Sequence, residues 1–558
     1  MKTQIITFII CFLMILSQKD LSSQSSYSDQ VDKLISQIVD STTAGMAIGV
    51  IKDNKLIFKK CYGLANIEYN ISITLSTIFE IASISKQFTA FSILLLEKDG
   101  KLSTLDKINK YIPELPECYN EITIENLVYH TSGIKDQFDL LRIAGWRRDD
   151  IVTQVQVLNL IANQQSLNFQ PGEDRWYCNS GYTLLAEIIE RVSGKSLEEF
   201  MSERIFEPLE MNNTFVHDDN DMIVKNRATS YRPDGFGKYK IEQYNYSTYG
   251  AMGIYTNILD FAKWDKNFYT GKVGGKETIL KMKKKCILNN GKEEDYGYGI
   301  NIDDYNGLPT ILHGGSEAGY YSRYIQFPSE KLSIIILSNM GIFDAKLHYK
   351  IADIYLDLPR EWEIKTCHKL ADASYLKDES LGMYFGGLIF SFVKENNKLL
   401  VEFRDNYKIE LYEESEGIYY TINPPYKFSF IKDSLESINQ FLLNDKYKYS
   451  KIENVKLDKR ELSQYSGEYY SEELKVIRHI IVKDGLLYVI GRNESKDPLF
   501  YYDKDIFYET NTDEFNVGMV EIKFQRNQNG DIGSFRIDGY ATKNILFKKV
   551  KNIQYMSK

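Results

Sequence analysis

The pattern of apolar residues changes near residue 368 of this 558-residue chain, and the change divides the chain into two regions. Between about residues 30 and 360, the spacing of apolar residues alternates between helical and strand periods. Beyond residue 368, short apolar and aromatic runs recur with turns between them, and the helical period fades. Since a domain usually holds about 100–200 residues, the chain should contain more than one. We expect an α+β region followed by an all-β region.

Hairpins near both ends of the α+β region predict that its first and last strands belong to one sheet. They cover residues 47–58 and 320–337. Between them, apolar residues at helical spacing predict helices over Ser83–Lys98 and Gly181–Val192. Terminal strands with helices between them indicate a mixed sheet with a helical domain, which is an α+β fold.

The all-β region contains two stretches that resemble each other. Leu381–Tyr384 and Tyr465–Tyr469 each hold a glycine two residues before a tyrosine, and each is followed by a turn and a short apolar strand. This similarity predicts two β-barrel-like repeats, although a single larger barrel is an alternative. The predicted domains are an α+β domain over residues 25–366 and barrel-like repeats over residues 367–457 and 458–558.

The first two dozen residues are typical of a secretory signal peptide. Lys2 precedes an apolar run over residues 5–16, and a Ser-Ser-Gln segment follows at residues 22–24. The run is too short to anchor a chain in a bilayer and suits a signal-peptide core. We therefore expect residues 1–24 to be removed on export to the periplasm or the outside of the cell. No other run is long enough for a transmembrane helix, so the mature chain should have no such anchor.

Charge, histidines and cysteines argue against several classes of function. The net charge is −9 with no block of Lys and Arg, and nucleic acid needs a cationic face, so we expect no nucleic-acid partner. The six histidines include no pair at His-x-His or His-x-x-x-His spacing, so we predict no metal site and no cofactor. The cysteines beyond the leader are too irregularly spaced to indicate a disulfide framework.

Hydrolysis without a metal usually needs a side-chain nucleophile and a group that takes its proton. A Ser-x-x-Lys pattern at the start of a helix supplies both, since residues three apart share one face and the helix N-terminus stabilises developing negative charge. Ser83 and Lys86 fall in the first turn of a strongly amphipathic helix, where the alternative is a capping serine beside a solvated lysine. Two further matches lie in an expected turn and in the expected linker: Ser132–Lys135 and Ser374–Lys377.

Three more segments extend the pattern around Ser83. The four segments in chain order are Ile81–Ala90, Leu127–Ile134, Trp176–Leu185 with its Tyr-x-Asn, and His313–Ser316 with its His-x-Gly. Together they resemble the ordered motifs of the serine β-lactamase-related family, which includes class C β-lactamases, D,D-peptidases, D-aminopeptidases and some esterases. The resemblance covers about residues 30–350 and implies a fold like that of β-lactamases and penicillin-binding proteins.

By this resemblance, Ser83 is the nucleophile, and Lys86 and Tyr177 manage its proton. A lysine ammonium would favour the phenolate of Tyr177, which could then accept the proton. The resemblance also implies substrate contacts by Asn179, His313 and Gly315, and an oxyanion hole made by the backbone N–H groups of Ser83 and Ser316.

Other occurrences of these residue types have simpler explanations. A second Tyr-x-Asn, from Tyr255 to Asn257, opens an expected helix, so its asparagine should be a cap. Cys178 should point into the core. The remaining histidines should be structural or surface residues: His130, His217, His348, His368 and His479.

His313 stands where many β-lactamases and D,D-peptidases of the family have lysine. Histidine is mostly neutral at pH 7 and attracts a substrate carboxylate less, which argues against efficient penicillin turnover. We expect an exported serine hydrolase that cleaves an amide or ester (a D-amino-acid peptide, a β-lactam or a small ester) through an acyl-enzyme on Ser83. The alternative is a protein that holds cell-wall peptides or β-lactams with little turnover. The C-terminal repeats are similar in layout to D-aminopeptidases of the family, which carry two trailing β-barrels.

Overall fold

The computed structural model describes residues 27–550, apart from residues 148, 235–237, 244, 342–343, 360–368, 371–375, 377, 386–388, 397, 404–406, 422–425, 435–436, 452–456, 491–495 and 510–519. The predicted leader, Cys367, His368 and the Ser374–Lys377 pattern lie outside the described residues. Among the described residues, no helix combines the length and the apolar character needed to cross a membrane.

The first region combines helices with one large sheet and several small ones. Its helices are α1 (27–35), α2 (Lys86–Lys98), α3 (Ile124–Val128), α4 (Gln137–Ile143), α5 (Gln154–Ala162), α6 (Asn179–Ser193), α7 (Leu197–Met201), α8 (Ile258–Thr270), α9 (Gly275–Met282) and α10 (Leu347–Tyr355). Its strands are β1 (Met46–Lys52), β2 (Lys55–Tyr62), β3 (Leu64–Asn66), β4 (Ile71–Ser72), β5 (Phe79–Glu80), β6 (Ile151–Thr153), β7 (Phe215–Val216), β8 (Tyr231–Pro233), β9 (Tyr239–Ile241), β10 (Asn245–Ser247), β11 (Ile254–Thr256), β12 (Cys286–Ile287), β13 (Glu293–Glu294), β14 (Asn301–Tyr305), β15 (Leu308–Glu317), β16 (Tyr320–Phe327) and β17 (Leu332–Ser338).

The large sheet has the strand order β14-β15-β16-β17-β1-β2, so strands from both ends of the region lie side by side. Both predicted hairpins, β1–β2 and β16–β17, are part of it. The α+β fold is confirmed, but every neighbouring pair in this sheet is antiparallel, whereas a mixed sheet was expected. The reason is that hairpins and the pairing of β17 with β1 build the sheet, and an antiparallel pair needs no helical crossover.

Both faces of the large sheet are buried, which explains the continuous apolar runs in its central strands. On one face, Ala47 and Ile335 belong to a core shared with α2, α6 and α8. On the other face, Ile48 and Ile334 pack against α1 and α10. The short 3-10 turn Ala82–Ser85, which leads into α2, lies against β15 at this sheet, and the candidate site is built there.

The second region is all β in its described residues, apart from α11 (Lys459–Ser463) and a 3-10 turn (Asp378–Ser380). Its strands are β18 (Lys369–Leu370), β19 (Gly382–Phe385), β20 (Ile389–Glu395), β21 (Lys398–Phe403), β22 (Tyr407–Glu410), β23 (Tyr412–Ser415), β24 (Ile418–Tyr420), β25 (Lys427–Lys432), β26 (Ile438–Leu443), β27 (Tyr447–Lys451), β28 (Gly467–Ser471), β29 (Val476–Lys483), β30 (Leu486–Ile490), β31 (Lys496–Asp503), β32 (Ile506–Glu509), β33 (Val520–Arg526), β34 (Ile532–Asp538) and β35 (Ile545–Val550).

These strands form two separate sheets. β28–β35 close into an eight-stranded barrel in which neighbours in sequence pair and β35 returns to β28. β18–β27 form a ten-stranded sheet in the order β18-β23-β24-β25-β26-β27-β19-β20-β21-β22. The all-β class is confirmed. The predicted domain boundaries after residues 366 and 457 stay predictions, because neither has been tested.

The two stretches that resemble each other in sequence also share a local structure. The hydroxyl of Tyr384 donates a hydrogen bond to the Ser380 carbonyl (2.7 Å), and that of Tyr469 donates one to the Tyr465 carbonyl (2.8 Å). Both tyrosines are fully buried in the cores of their sheets. The repeated pattern therefore marks equivalent positions in strands β19 and β28.

The barrel docks onto the first region through buried charged groups. Lys135 forms an ion pair with Glu473 at 2.6 Å, and their side chains are 0% and 9% exposed. Burial lowers the pKa of Lys135, while the Glu473 carboxylate acts to raise it. Arg478 donates hydrogen bonds to the carbonyl oxygens of Arg142 (2.9 Å) and Ile143 (2.8 Å). The ion pair and these hydrogen bonds thus connect the barrel to helix α4 and to the turn before it.

We expect Glu473→Gln to lower the free energy of unfolding by about 3 kcal/mol, because it leaves the buried Lys135 ammonium without its carboxylate. Glu472→Gln is the matched control. Glu472 pairs with Lys475 in solvent on the same turn, where water screens the charges, so its loss should barely change unfolding. Urea denaturation at pH 7 measures both variants, and equal stabilities would contradict a stabilising role for the buried pair.

Candidate active site

Ser83 lies in the 3-10 turn that leads directly into α2. The residue before it, Ala82, has a φ of +47°, a left-handed conformation that is strained for a residue with a Cβ. Ser83 is partly exposed, whereas Ile84 and Ser85 after it are buried. The helix predicted from Ser83 therefore begins as a tighter turn, and that turn presents the serine at the surface of the cleft.

Lys86 is the first residue of α2 and is fully buried. Its Nζ lies 3.1 Å from the Ser83 Oγ, 2.8 Å from the Asn179 Oδ1 and 2.8 Å from the Ala251 carbonyl oxygen. Burial lowers the pKa of Lys86 to about 7, although the carboxylates of Asp136 and Glu317 act to raise it. The amine is therefore poised between its charged and neutral forms near neutral pH, next to the serine hydroxyl.

Tyr177 packs over the same amine, with the Lys86 Nζ 4.8 Å from the centre of its ring. Burial raises the pKa of Tyr177 well above its usual value; Tyr296 adds to this, and the Ser83 hydroxyl acts to lower it without forming a hydrogen bond of normal geometry. The expectation that Tyr177 would favour its phenolate form is therefore not met. The physical reason is that the lysine faces the ring and is itself desolvated, so it offers little to a phenolate.

His130 packs against the Tyr177 ring, with ring centroids 4.3 Å apart. His130 is buried, and its ring also packs against those of Tyr182 and Tyr296, with centroids 5.2 and 4.8 Å apart. Its Nδ1 lies 3.1 Å from both the backbone nitrogen and the carbonyl oxygen of Cys178, and burial keeps the pKa of the imidazole well below its usual range. The sequence places His130 in a motif segment, but only the fold reveals that it packs against Tyr177.

Asn179 begins α6, and both ends of its side-chain amide are engaged. Its Oδ1 accepts from Lys86, and its Nδ2 donates to the Asp136 Oδ2 at 3.0 Å. The Asn179 backbone N–H donates to the same carboxylate oxygen at 2.6 Å. Asp136 was not singled out from the sequence. Its position before α4 could have identified it as a helix cap, since its Oδ1 accepts from the Phe138 N–H, but not as a partner of Asn179.

His313 lies in β15 and is buried. Its Nδ1 is 2.6 Å from the Gly314 carbonyl oxygen and its Nε2 is 3.3 Å from the Tyr296 hydroxyl. A carbonyl can only accept, so Nδ1 carries the proton and Nε2 accepts from the tyrosine. Burial, with help from the Lys86 charge, lowers the pKa of His313 to about 3. The imidazole is thus neutral at pH 7 and brings no positive charge to the cleft.

Gly315 brings β15 against the segment that carries the nucleophile. A Cβ on Gly315 would overlap the Ile81 carbonyl oxygen and lie 3.1 Å from the Ala82 Cβ. Only glycine permits this approach without displacement of the backbone. It places Ser316, the next residue of β15, beside the turn that holds Ser83.

The alternative matches in the sequence occupy other environments. Lys135, from the second Ser-x-x-Lys, pairs with Glu473, as described above. The Asn257 Oδ1 accepts from the Asp260 N–H at 2.9 Å and caps α8, as predicted for the second Tyr-x-Asn. Cys178 is buried, as predicted, and burial raises the pKa of its thiol to about 12. In the described residues, no group of three or more metal-ligating side chains occurs.

A small cavity of about 40 Å³ is lined by Glu317, the residue after Ser316, but not by Ser83, Lys86 or Tyr177. Its walls include charged groups of both signs, among them Glu80 and Arg227. Burial raises the pKa of Glu80 to about 7. His217 also lines the pocket, and its buried Nε2 has no hydrogen-bond partner among the described residues. The cavity is therefore polar, and it lies beside Glu317 rather than at the candidate nucleophile.

Three comparisons with known proteins show what this chain is similar to. A family model described as Beta-lactamase matches residues 31–354. The chain is 27% identical to Penicillin-binding protein 4* of Bacillus subtilis (strain 168) over 413 residues, which are 68% of this chain and 89% of that protein. It is 22% identical to a D-aminopeptidase of Brucella anthropi over 524 residues, 91% of this chain and 95% of that protein. A solved structure, the octameric penicillin-binding protein homologue from Pyrococcus abyssi, is similar with a TM-score of 0.54 and 25% identity, over 77% of this chain and 100% of that one.

Proposed function

Because this chain belongs to the beta-lactamase family, we propose that it is a serine hydrolase that cleaves an amide or ester through an acyl-enzyme on Ser83. The observation that carries the proposal is the surroundings of the Lys86 amine. A neutral amine has two N–H donors and one lone pair. The Asn179 and Ala251 oxygens take the two donors, which leaves the lone pair for the Ser83 hydroxyl.

In the proposed mechanism, neutral Lys86 accepts the proton of Ser83 as the Ser83 oxygen attacks the substrate carbonyl carbon. The backbone N–H groups of Ser83 and Ser316 stabilise the negative charge on the carbonyl oxygen. When the intermediate collapses, the bond to the leaving group breaks and the leaving group takes the proton. Tyr177, protonated and adjacent to both Ser83 and Lys86, is suited to pass that proton on. Water then attacks the ester on Ser83 and regenerates the free hydroxyl.

The neutral state of His313 supports a preference among substrates. A substrate carboxylate near β15 would meet no histidine charge at pH 7, so penicillins and cephalosporins should be turned over poorly. Short amides and esters, including D-amino-acid peptides, do not need that charge. The D-aminopeptidase of Brucella anthropi matches nearly the whole chain, which supports D-amino-acid substrates for this protein as well.

A second candidate function is covalent or non-covalent holding of cell-wall peptides or β-lactams with little turnover. It is favoured by the matches to proteins named for penicillin binding and by a barrel docked beside the site.

We further propose export to the periplasm or the outside of the cell, supported by the composition of residues 1–24. The partners of the protein would be small molecules or short peptides, including cell-wall peptides.

A substrate panel tests the proposed function. We expect the purified protein to hydrolyse short chromogenic esters and D-amino-acid anilides or D-alanyl dipeptides with multiple turnovers, and cephalosporins at least about tenfold more slowly. A fluorescent penicillin is the matched probe for the second candidate. A label that stays attached for hours, with no turnover of any member of the panel, would contradict the hydrolase and favour the holding protein.

A further inference from the structure

Asp136 is a buried carboxylate between the candidate active site and the barrel, and nothing in the mechanism above uses it. Its side chain accepts three hydrogen bonds: two from Asn179 at Oδ2 and one from the Phe138 N–H at Oδ1, at 2.9 Å. Burial raises the pKa of Asp136 to about 6, and Asp139 adds to this, while the Asn179 N–H groups act to lower it. Both oxygens of this buried carboxylate therefore accept hydrogen bonds.

The carboxylate fixes which way the Asn179 amide points. A carboxylate can only accept, so the Asn179 Nδ2 must face Asp136 and the Oδ1 must face Lys86. A rotated amide would set its oxygen against the carboxylate and its N–H groups against the amine of Lys86. In the observed orientation, the Asn179 Oδ1 accepts from an N–H of the Lys86 amine, and the lone pair of that amine remains for Ser83.

The barrel holds Asp136 from the opposite side. The Asp136 N–H donates to the Ala541 carbonyl at 3.1 Å, and the Thr542 hydroxyl donates to the Asp136 carbonyl at 3.5 Å. The Ala541 N–H in turn donates to the Asp139 Oδ2 at 2.6 Å. The first two contacts engage the main chain of Asp136 and leave its side chain for Asn179 and the Phe138 N–H.

We propose that Asp136 is a positioning residue that orients the Asn179 amide, and through it the Lys86 amine, toward Ser83. The inference rests on the proposed function, since it concerns the same proton transfer. Asp136 touches no substrate atom in this account. It acts through a chain of three hydrogen-bonded groups that starts at a main chain anchored by the barrel.

Asp136→Asn tests the proposal, because an amide cannot accept at both ends. One of its ends must place N–H groups against either Asn179 or the Phe138 N–H. We expect kcat to fall about 10- to 100-fold while KM changes less than about threefold, since the reacting groups lose their alignment. The Asp136 carboxylate also raises the pKa of Lys86, so the rise of kcat/KM with pH should move to lower pH in the variant. The other groups that act on or face the amine are unchanged: Glu317, Cys178, Tyr177, Tyr182, His130 and His313.

Asp139→Asn is the matched control, because Asp139 is equally buried and contacts the barrel at Ala541 but does not contact Asn179. It should lose stability but keep kcat and the pH profile. Equal changes in kcat and pH profile for both variants would overturn the proposal, as would an Asp136→Asn enzyme with wild-type kinetics while Ser83→Ala is inactive. If Asp136→Asn does not fold by circular dichroism, Asp136→Ser keeps a cap for α4 and takes its place. In an Asn179→Ala background, Asp136→Asn should change kcat less than about twofold, and an undiminished effect there would also overturn the proposal.

Discussion

Ser83→Ala should lower the rate of ester hydrolysis at least about 10³-fold and remove any pre-steady-state burst, because it removes the hydroxyl that forms the acyl-enzyme in the proposed mechanism. The Ser83 Oγ is 3.1 Å from the Lys86 amine and lies in the turn that is packed against β15. Stopped-flow measurement with a chromogenic ester, or with a D-amino-acid anilide, gives both the burst amplitude and the steady rate.

Ser132→Ala is the matched control for this loss, since Ser132 belongs to the second Ser-x-x-Lys pattern, although it is buried where Ser83 is partly exposed. Its hydroxyl accepts a long hydrogen bond, 3.3 Å from the Ile134 N–H, and its lysine partner is engaged with Glu473. We expect its rate to stay within about twofold of wild type. Equal rates in wild type and Ser83→Ala would rule out the proposed nucleophile.

Lys86→Met should lower kcat/KM about 10³-fold, because methionine has a similar length but can neither accept the proton of Ser83 nor donate to the Asn179 and Ala251 oxygens. The dependence of the wild-type kcat/KM on pH shows which protonation state of Lys86 is active. The pKa of Lys86 is about 7 in the folded protein, and the amine must be neutral to act as a base. The wild-type kcat/KM should therefore fall about tenfold per pH unit below pH 7 and level off above it.

His313→Gln separates this limb of the profile from the histidine. The pKa of His313 is about 3, so the imidazole does not titrate between pH 5 and 9 and the midpoint near pH 7 should stay in place. The residual kcat/KM of Lys86→Met should instead show no rise with pH. A midpoint near 7 that persists in Lys86→Met would assign the limb to another group and contradict the lysine as base.

Features coded by local patterns were predictable from the sequence. The apolar spacing predicts α2 and α6, the turn residues predict both hairpins, and the asparagine before α8 is found as a cap. The two glycine-and-tyrosine stretches predict related β structures, and they have equivalent hydrogen bonds at Tyr384 and Tyr469. In each case the determining contacts lie within a few residues along the chain.

Features that depend on burial or on distant partners were not predictable. Tyr177 was expected to favour its phenolate, but the fold desolvates both the phenol and the Lys86 amine, and no sequence pattern reports desolvation. His130 was expected to be structural or on the surface, and its contact with Tyr177 arises from packing between segments. Asp136 meets Asn179 and the barrel only after the chain has folded, so its sequence neighbours reveal a helix cap and nothing more.

Mass spectrometry of the acylated protein tests the central account most directly. The protein is mixed with an ester or a fluorescent penicillin that is hydrolysed slowly, quenched in acid, weighed intact and digested. The account predicts a mass increase equal to one acyl group, located on the peptide that contains Ser83 and absent from Ser83→Ala. Turnover of the substrate with no acyl group at Ser83, or with the group on another residue, would contradict it.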